Sequence, residues 1–285
     1  MGLGIGLALV CAVATQLGFL CKHRGAARAP EVKLQQPLRS ARALFASRWF
    51  AIGMAVAAVA WFLHVAALAL APLSTVQAVL STGVVMLAVM GDRIFGHAVS
   101  PRQWLGVAMT ATGLGLLVLT VPTAHGSGSA FAVPGLVAFE AATLALGTLL
   151  IAAPKMGAPA QHHGVLLGAA AGVLFGVSDV AIKALTGLAG SGALGVIASP
   201  WLPVAALASV LAFLASARGF QEGEAVPVIA STSTAANLTC IVGGILVFGD
   251  ALAAGILLAV QLAAFALVAA AALVTPSGHG RPVAA

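Results

Sequence analysis

The sequence predicts an all-α integral membrane protein, with about nine transmembrane helices in a 4+1+4 inverted repeat, N-terminus out and C-terminus in. Three observations carry this. Hydrophobic residues make up 61% of the chain and charged residues 7%, whereas about 25% of a soluble domain is charged; the mean hydropathy is +1.10. Apolar stretches of about 20 residues, the length that crosses the hydrocarbon, recur along the whole chain. Two of these stretches look like copies of each other: APLSTVQAVLSTGVVMLAVMGD at 71–92 and AVPVIASTSTAANLTCIVGGILVFGD at 225–250. Each copy opens with a proline, Pro72 or Pro227, suited to a first helical turn. Each then carries small polar side chains, turns apolar and stops at Gly-Asp.

The predicted spans are about 2–21, 49–70, 73–91, 103–121, 134–153, 164–185, 199–216, 226–248 and 251–274. The first is read as a retained helix rather than a leader, because its charges follow the apolar run instead of preceding it. Lys22, Arg24, Arg28, Lys33, Arg39, Arg42 and Arg48 fill the connection after it, and the positive-inside tendency assigns that loop to the cytoplasm. Alternation then places Arg93, Arg102, Lys155, Arg218 and Arg281 on the same side, and only Lys183 falls inside a span. Trp49, Trp104 and Trp201 fall near span ends and read as interfacial anchors. Five crossings separate Asp92 from Asp250, so the two Gly-Asp copies run antiparallel. The first and sixth spans form a second antiparallel pair, both glycine-rich and ending near Lys22 or Lys183. Residues 1–121 and 164–285 are then the two repeats, with 122–163 holding an outer loop and the intervening fifth helix. Such repeats accompany alternating access.

Charge inside a bilayer is costly and marks function by default. Asp179 and Glu140 are the intramembrane carboxylates and the candidate metal ligands. Gly164, Gly168, Gly172 and Gly176 form a smooth stripe that Asp179 continues, which points it into the bundle. Lys183 stands four residues on, within reach for an ion pair. Glu140 lies roughly 10 Å into its helix at 1.5 Å per residue, placed to bind a cation or carry a coupled proton. Ser74, Gln77 and Ser81 share one face of the third span, and Ser233 and Asn237 one face of the eighth, as a polar lining. Asp92 and Asp250 are gate or rim candidates. Against each stands a structural alternative: a fixed ion pair, a protonated acid held by a neighbouring helix, or interhelical hydrogen bonds. His64 is a weaker candidate for proton relay, and the adjacent His162 and His163 are poor evidence for a metal.

The basic segment KHRG (22–25), the ALALAP junction (67–72), and IAAPKMG (151–157) leading into GVLFGVSDVAIKALTG (172–187) make the chain similar to the drug/metabolite transporter superfamily (DMT/EamA-like), and within it to the NIPA-like magnesium transporter family. That resemblance implies solute transport by two inverted halves, with Mg²⁺ or another divalent cation as substrate. The alternatives are export of a small organic metabolite, or a non-transporting membrane scaffold. No enzyme constellation, phosphate loop or HExxH-type motif is present in the sequence. No cofactor or nucleic-acid partner is expected; the expected partners are membrane lipid and a small solute, in the plasma (inner) membrane. The basic 22–48 loop either binds anionic lipid heads or only sets topology.

Overall fold

Hydrocarbon offers no hydrogen-bond partner to a backbone, so a spanning chain satisfies its own amides by coiling. The computed structural model describes residues 2–33, 36–70, 76, 79–80, 83–96, 100–120, 131–188, 192–249 and 255–274, and among them no residue is in a strand. The helices are α1 (Gly2–Ala26), α2 (Pro37–Phe45), α3 (Arg48–Leu70), α4 (Gly83–Arg93), α5 (Pro101–Thr120), α6 (Val133–Ala152), α7 (His163–Gly187), α8 (Gly192–Ile197), α9 (Trp201–Glu222), α10 (Ala225–Phe248) and α11 (Ile256–Val274). Among the described residues six segments are long and apolar enough to cross a membrane: Gly6–Ala26, Arg48–Ala67, Val133–Met156, Ala160–Gly187, Trp201–Glu222 and Ala225–Phe248. The chain is a multi-pass membrane protein. Helices α4, α5 and α11 fall within or near the other three expected spans and are not among these six.

Helix α7 is the central element, packed against α9, α10 and α6, while α1 lies along α3 and α5 along α11. The glycine stripe explains this place. A Cβ on Gly168 would stand 2.5 Å from Ser231 Oγ and 2.7 Å from the Val228 carbonyl oxygen, and one on Gly172 would collide with the Thr232 carbonyl. Only glycine lets α7 and α10 come this close, as its spacing predicts. A similar contact joins α1 to α3, where a Cβ on Gly53 would lie 2.7 Å from Gly18 O and from Lys22 N. By contrast, α3, α6 and α9 each turn large apolar side chains outward, among them Phe62, Leu149 and Leu207, as lipid-facing helices do.

One end of the bundle gathers the termini of several helices. Gln221 on α9 donates from Nε2 to the carbonyls of Ala26 (3.1 Å) and Pro30 (3.0 Å), and its Oε1 accepts from Val32 N at 2.8 Å. The Arg218 guanidinium pairs with Glu31 at 2.7 Å and with Glu222, which also lies 3.5 Å from His163 Nδ1. Gln103 Nε2 donates to Glu224 Oε2 at 2.6 Å. Thus the end of α1 and the start of α7 meet the same end of α9, so α1 and α7 run in opposite directions. Gly91 near the end of α4 packs under Val226 at the start of α10, so α4 and α10 are antiparallel too.

Three details differ from the sequence expectation. Residues 37–45, expected as loop, form α2: Pro37 starts it, Ser40 Oγ exchanges hydrogen bonds with Lys33 N and O, and Leu38 and Phe45 are exposed beside exposed Arg39 and Arg42. The two Gly-Asp ends are unlike. Gly249, at φ 71°, caps α10 in the left-handed region and donates its N–H to Gly244 O, whereas Gly91 lies inside α4, which continues to Arg93. Trp201, read as an interfacial anchor, is 7% exposed and packs edge-on against Phe131; Trp49 and Trp104 are partly exposed.

The polar staples at the gathered end make a prediction. Glu31 is 61% exposed, so its ion pair with Arg218 contributes at most about 1 kcal/mol. Gln221 holds the 26–32 segment by three or more hydrogen bonds at roughly 0.5–1.5 kcal/mol each. Gln221→Ala is expected to speed tryptic cleavage after Arg28 and Lys33 by about tenfold or more, and Arg218→Ala by a smaller factor; digestion time courses followed by mass spectrometry check both.

Candidate functional site

Apolar side chains cluster toward the two ends of the bundle. One cluster joins Phe19, Phe50, Leu87, Phe220 and Val226, the other Leu136, Phe139, Ala184, Trp201 and Val247. Between them α1, α3, α7 and α10 line a partly open cavity of about 230 Å³. At about 30 Å³ per liquid water, it has room for a small hydrated solute.

Each helix contributes one face at helical spacing. From α1 come Cys11, Thr15, Gln16, Phe19 and Lys22; from α3 Ala57, Trp61 and His64; from α7 Phe175 and Asp179; from α10 Thr232, Ser233, Ala236 and Asn237. Asp179 reaches this cavity because the stripe it continues is the face that α7 turns toward α10. Its Oδ2 lies 3.7 Å from the Cys240 thiol, a weak sulfur donor.

Of the expected lining, Ser233 and Asn237 are brought to the cavity beside Asp179. Ser74, Gln77, Ser81 and Asp250 lie outside the described residues, though Leu80 lines the same cavity. Neighbouring hydroxyls on α10 bond to helix carbonyls: Thr232 to Val228 O, Ser231 to Val228 O and Val165 O, and Thr239 to Ala235 O. Asp92 is exposed at the end of α4.

Lys183 is buried in α7 away from the cavity lining and makes no ion pair with Asp179. The four-residue spacing permits the pair, but the short Asp179 side chain is turned to α10. Glu140 is 3% exposed on α6. It faces the protein rather than lipid, does not line the cavity with Asp179, and has no hydrogen-bond partner for either carboxylate oxygen among the described residues. The two carboxylates thus do not share one cavity, and among the described residues no three His, Cys, Asp or Glu side chains converge to hold a metal.

The cavity also holds groups that sequence reading passed over or ranked low. Gln16 is 2% exposed; its Nε2 donates to Ser233 Oγ at 3.3 Å, joining α1 to α10, while its Oε1 has no partner among the described residues. His64 Nε2 is likewise buried and unpartnered. Both side chains line the cavity, and buried polar atoms without a partner are uncommon and call for an explanation. Lys22 Nζ sits 4.0 Å from the centroid of the Phe19 ring, held by the ring's negative face. The signal for Gln16 was present: it is the single amide in α1. His163 instead serves structure, through Ala158 O at 2.8 Å and Glu222.

Among the described residues the lining therefore offers one carboxylate, neutral oxygens, one imidazole and one ammonium. It suits a hydrated cation or small polar solute, not a bare metal ion that requires a full protein cage.

No family model matches the chain, and no solved structure matches it. A curated protein of Arabidopsis thaliana, described as "Probable magnesium transporter NIPA9", is 23% identical over 258 residues, which cover 87% of this chain and 74% of that protein.

Proposed function

We propose that this chain is a secondary transporter that moves a small solute across the plasma membrane by alternating access, and that the solute is hydrated Mg²⁺ or another divalent cation. The observation that carries the reading is the mid-bundle cavity with Asp179 as its single carboxylate among the described residues. Mg²⁺ dehydrates reluctantly and is usually bound by one or two carboxylates with several waters retained. Asp179 supplies the charge. Gln16 Oε1, Ser233 and Asn237 accept hydrogen bonds from the cation's waters. A site of this kind binds weakly enough to release its cargo, as conduction and transport both require. The distant likeness to a protein described as a probable magnesium transporter agrees with this substrate.

The 4+1+4 repeat, residues 1–121 and 164–285 around 122–163, belongs to the same proposal. Its support is the antiparallel course of α1 and α7 and of α4 and α10, and a shared pairing: α1 lies along α3 as α7 lies along α9. The positive-inside tendency of the basic connections supports an N-terminus out and a C-terminus in.

A second reading, a small organic metabolite, is favoured by one observation: Phe19, Trp61 and Phe175 give the cavity an aromatic wall. Flux into proteoliposomes, run with a panel of divalent cations and metabolites, separates the readings. Saturable Mg²⁺ uptake is expected. Uptake of a metabolite without any divalent cation would replace the first reading with the second, and no uptake of anything would favour a scaffold.

A further inference from the structure

We propose that His64 couples transport to protons, by exchanging a proton on Nε2 against the cation at Asp179. This rests on the transport reading above and adds the coupling ion. The observation is geometric. His64 Nε2 is buried, has no hydrogen-bond partner among the described residues, and belongs to a side chain lining the cavity from α3, while Asp179 lines it from α7. A buried ring nitrogen without a hydrogen-bond partner is uncommon and calls for an explanation. Neutral, Nε2 accepts a hydrogen bond from a water of the hydrated cation. Protonated, the ring brings a positive charge into the cavity that Asp179 also lines, and the cation is disfavoured. Histidine is the side chain whose ordinary charge change falls within the physiological range.

The other groups facing the cavity do not substitute for it. From α1, Lys22 lies at the level of Gly53, eleven residues and roughly 16 Å along α3 from His64. The Cys11 thiol donates to Ala60 O at 3.1 Å. From α7 only Asp179 is charged. From α10 the lining is neutral, and Cys240 is engaged with Asp179. In each cycle one proton leaves Nε2 for the side from which the cation enters. One proton is taken up on the opposite side after release, a net transfer of one positive charge per divalent cation.

The test is Mg²⁺ uptake into proteoliposomes from about pH 5.5 to about pH 8, with a trapped pH dye, on the parent, His64→Gln and His64→Lys. Expected are parent uptake that rises severalfold with pH and carries protons the other way, a flat pH profile without proton movement in His64→Gln, and low, flat uptake in His64→Lys. Parent uptake with no proton countermovement overturns the inference, even if neither variant folds, as does a His64→Gln profile that follows the parent's. Failure of the parent to carry any Mg²⁺ overturns the transport reading itself, a result distinguishable from either of these.

Discussion

Asp179→Asn is expected to reduce Mg²⁺ uptake by about two decades, while leaving the protein folded. The asparagine keeps the shape of the side chain and removes the carboxylate that, among the described residues, alone lines the cavity. The attraction between one carboxylate and a divalent cation held through a water layer is several kcal/mol at an effective dielectric near 20; losing roughly 3 kcal/mol of it is about a hundredfold in affinity. Folding is little affected, because the carboxylate's bond to the Cys240 thiol is a weak one at 3.7 Å. Asp179→Glu keeps the charge and should retain part of the uptake. Glu140→Gln is the informative contrast. Glu140 is buried outside the cavity lining, so this variant is expected to keep an unchanged half-saturation for Mg²⁺. Uptake curves for the three variants beside the parent decide between a one-carboxylate and a two-carboxylate site.

Gly172→Leu is expected to be the most damaging substitution to the fold. Its Cβ would collide with the Thr232 carbonyl and stand 2.7 Å from Ala235 Cβ, so the whole of α10 must move away from α7. Overpacking a core typically costs about 1–3 kcal/mol; here the obstacle is backbone, which cannot swing aside as a side chain can, and the cost lies at or above the top of that range. Displacing α10 also displaces Ser233 and Asn237, so transport falls with stability. Gly135→Ala is the control, since a Cβ there meets nothing within 4 Å. Thermal unfolding in detergent should show a large loss for Gly172→Leu and no change for Gly135→Ala.

The parts of this site that were legible in the sequence were those with a periodic signal. Four glycines at intervals of four marked the buried face of α7, and Asp179 followed from them by spacing. Ser233 and Asn237 shared a face and reached the cavity together. Gln16 and His64 had no periodic signal, because each is a single amide or imidazole in a mostly apolar helix of which one face meets lipid and the other protein. In water the polar face of a helix reveals its orientation; in lipid it does not. The same ambiguity separates Asp179 from Glu140, two intramembrane carboxylates of which one lines the cavity. For Lys183, spacing allowed an ion pair that the direction of the Asp179 side chain does not make. Residues 37–45 were hidden by composition, since a short basic amphipathic helix resembles the charged loop around it. Trp201 was misplaced because proximity to a span end does not say whether a ring faces lipid or Phe131.

The central claim is that the cavity among α1, α3, α7 and α10 is the path of the solute, and Cys11, which lines it, allows a direct test. With Cys21→Ala and Cys240→Ser removing the other thiols, the rate of modification of Cys11 by a small hydrophilic thiol reagent is measured from each side of the membrane, with and without Mg²⁺. The account predicts modification from the aqueous phase that Mg²⁺ slows severalfold. A Cys11 that is unreactive from both sides, or equally reactive with and without Mg²⁺, would contradict it.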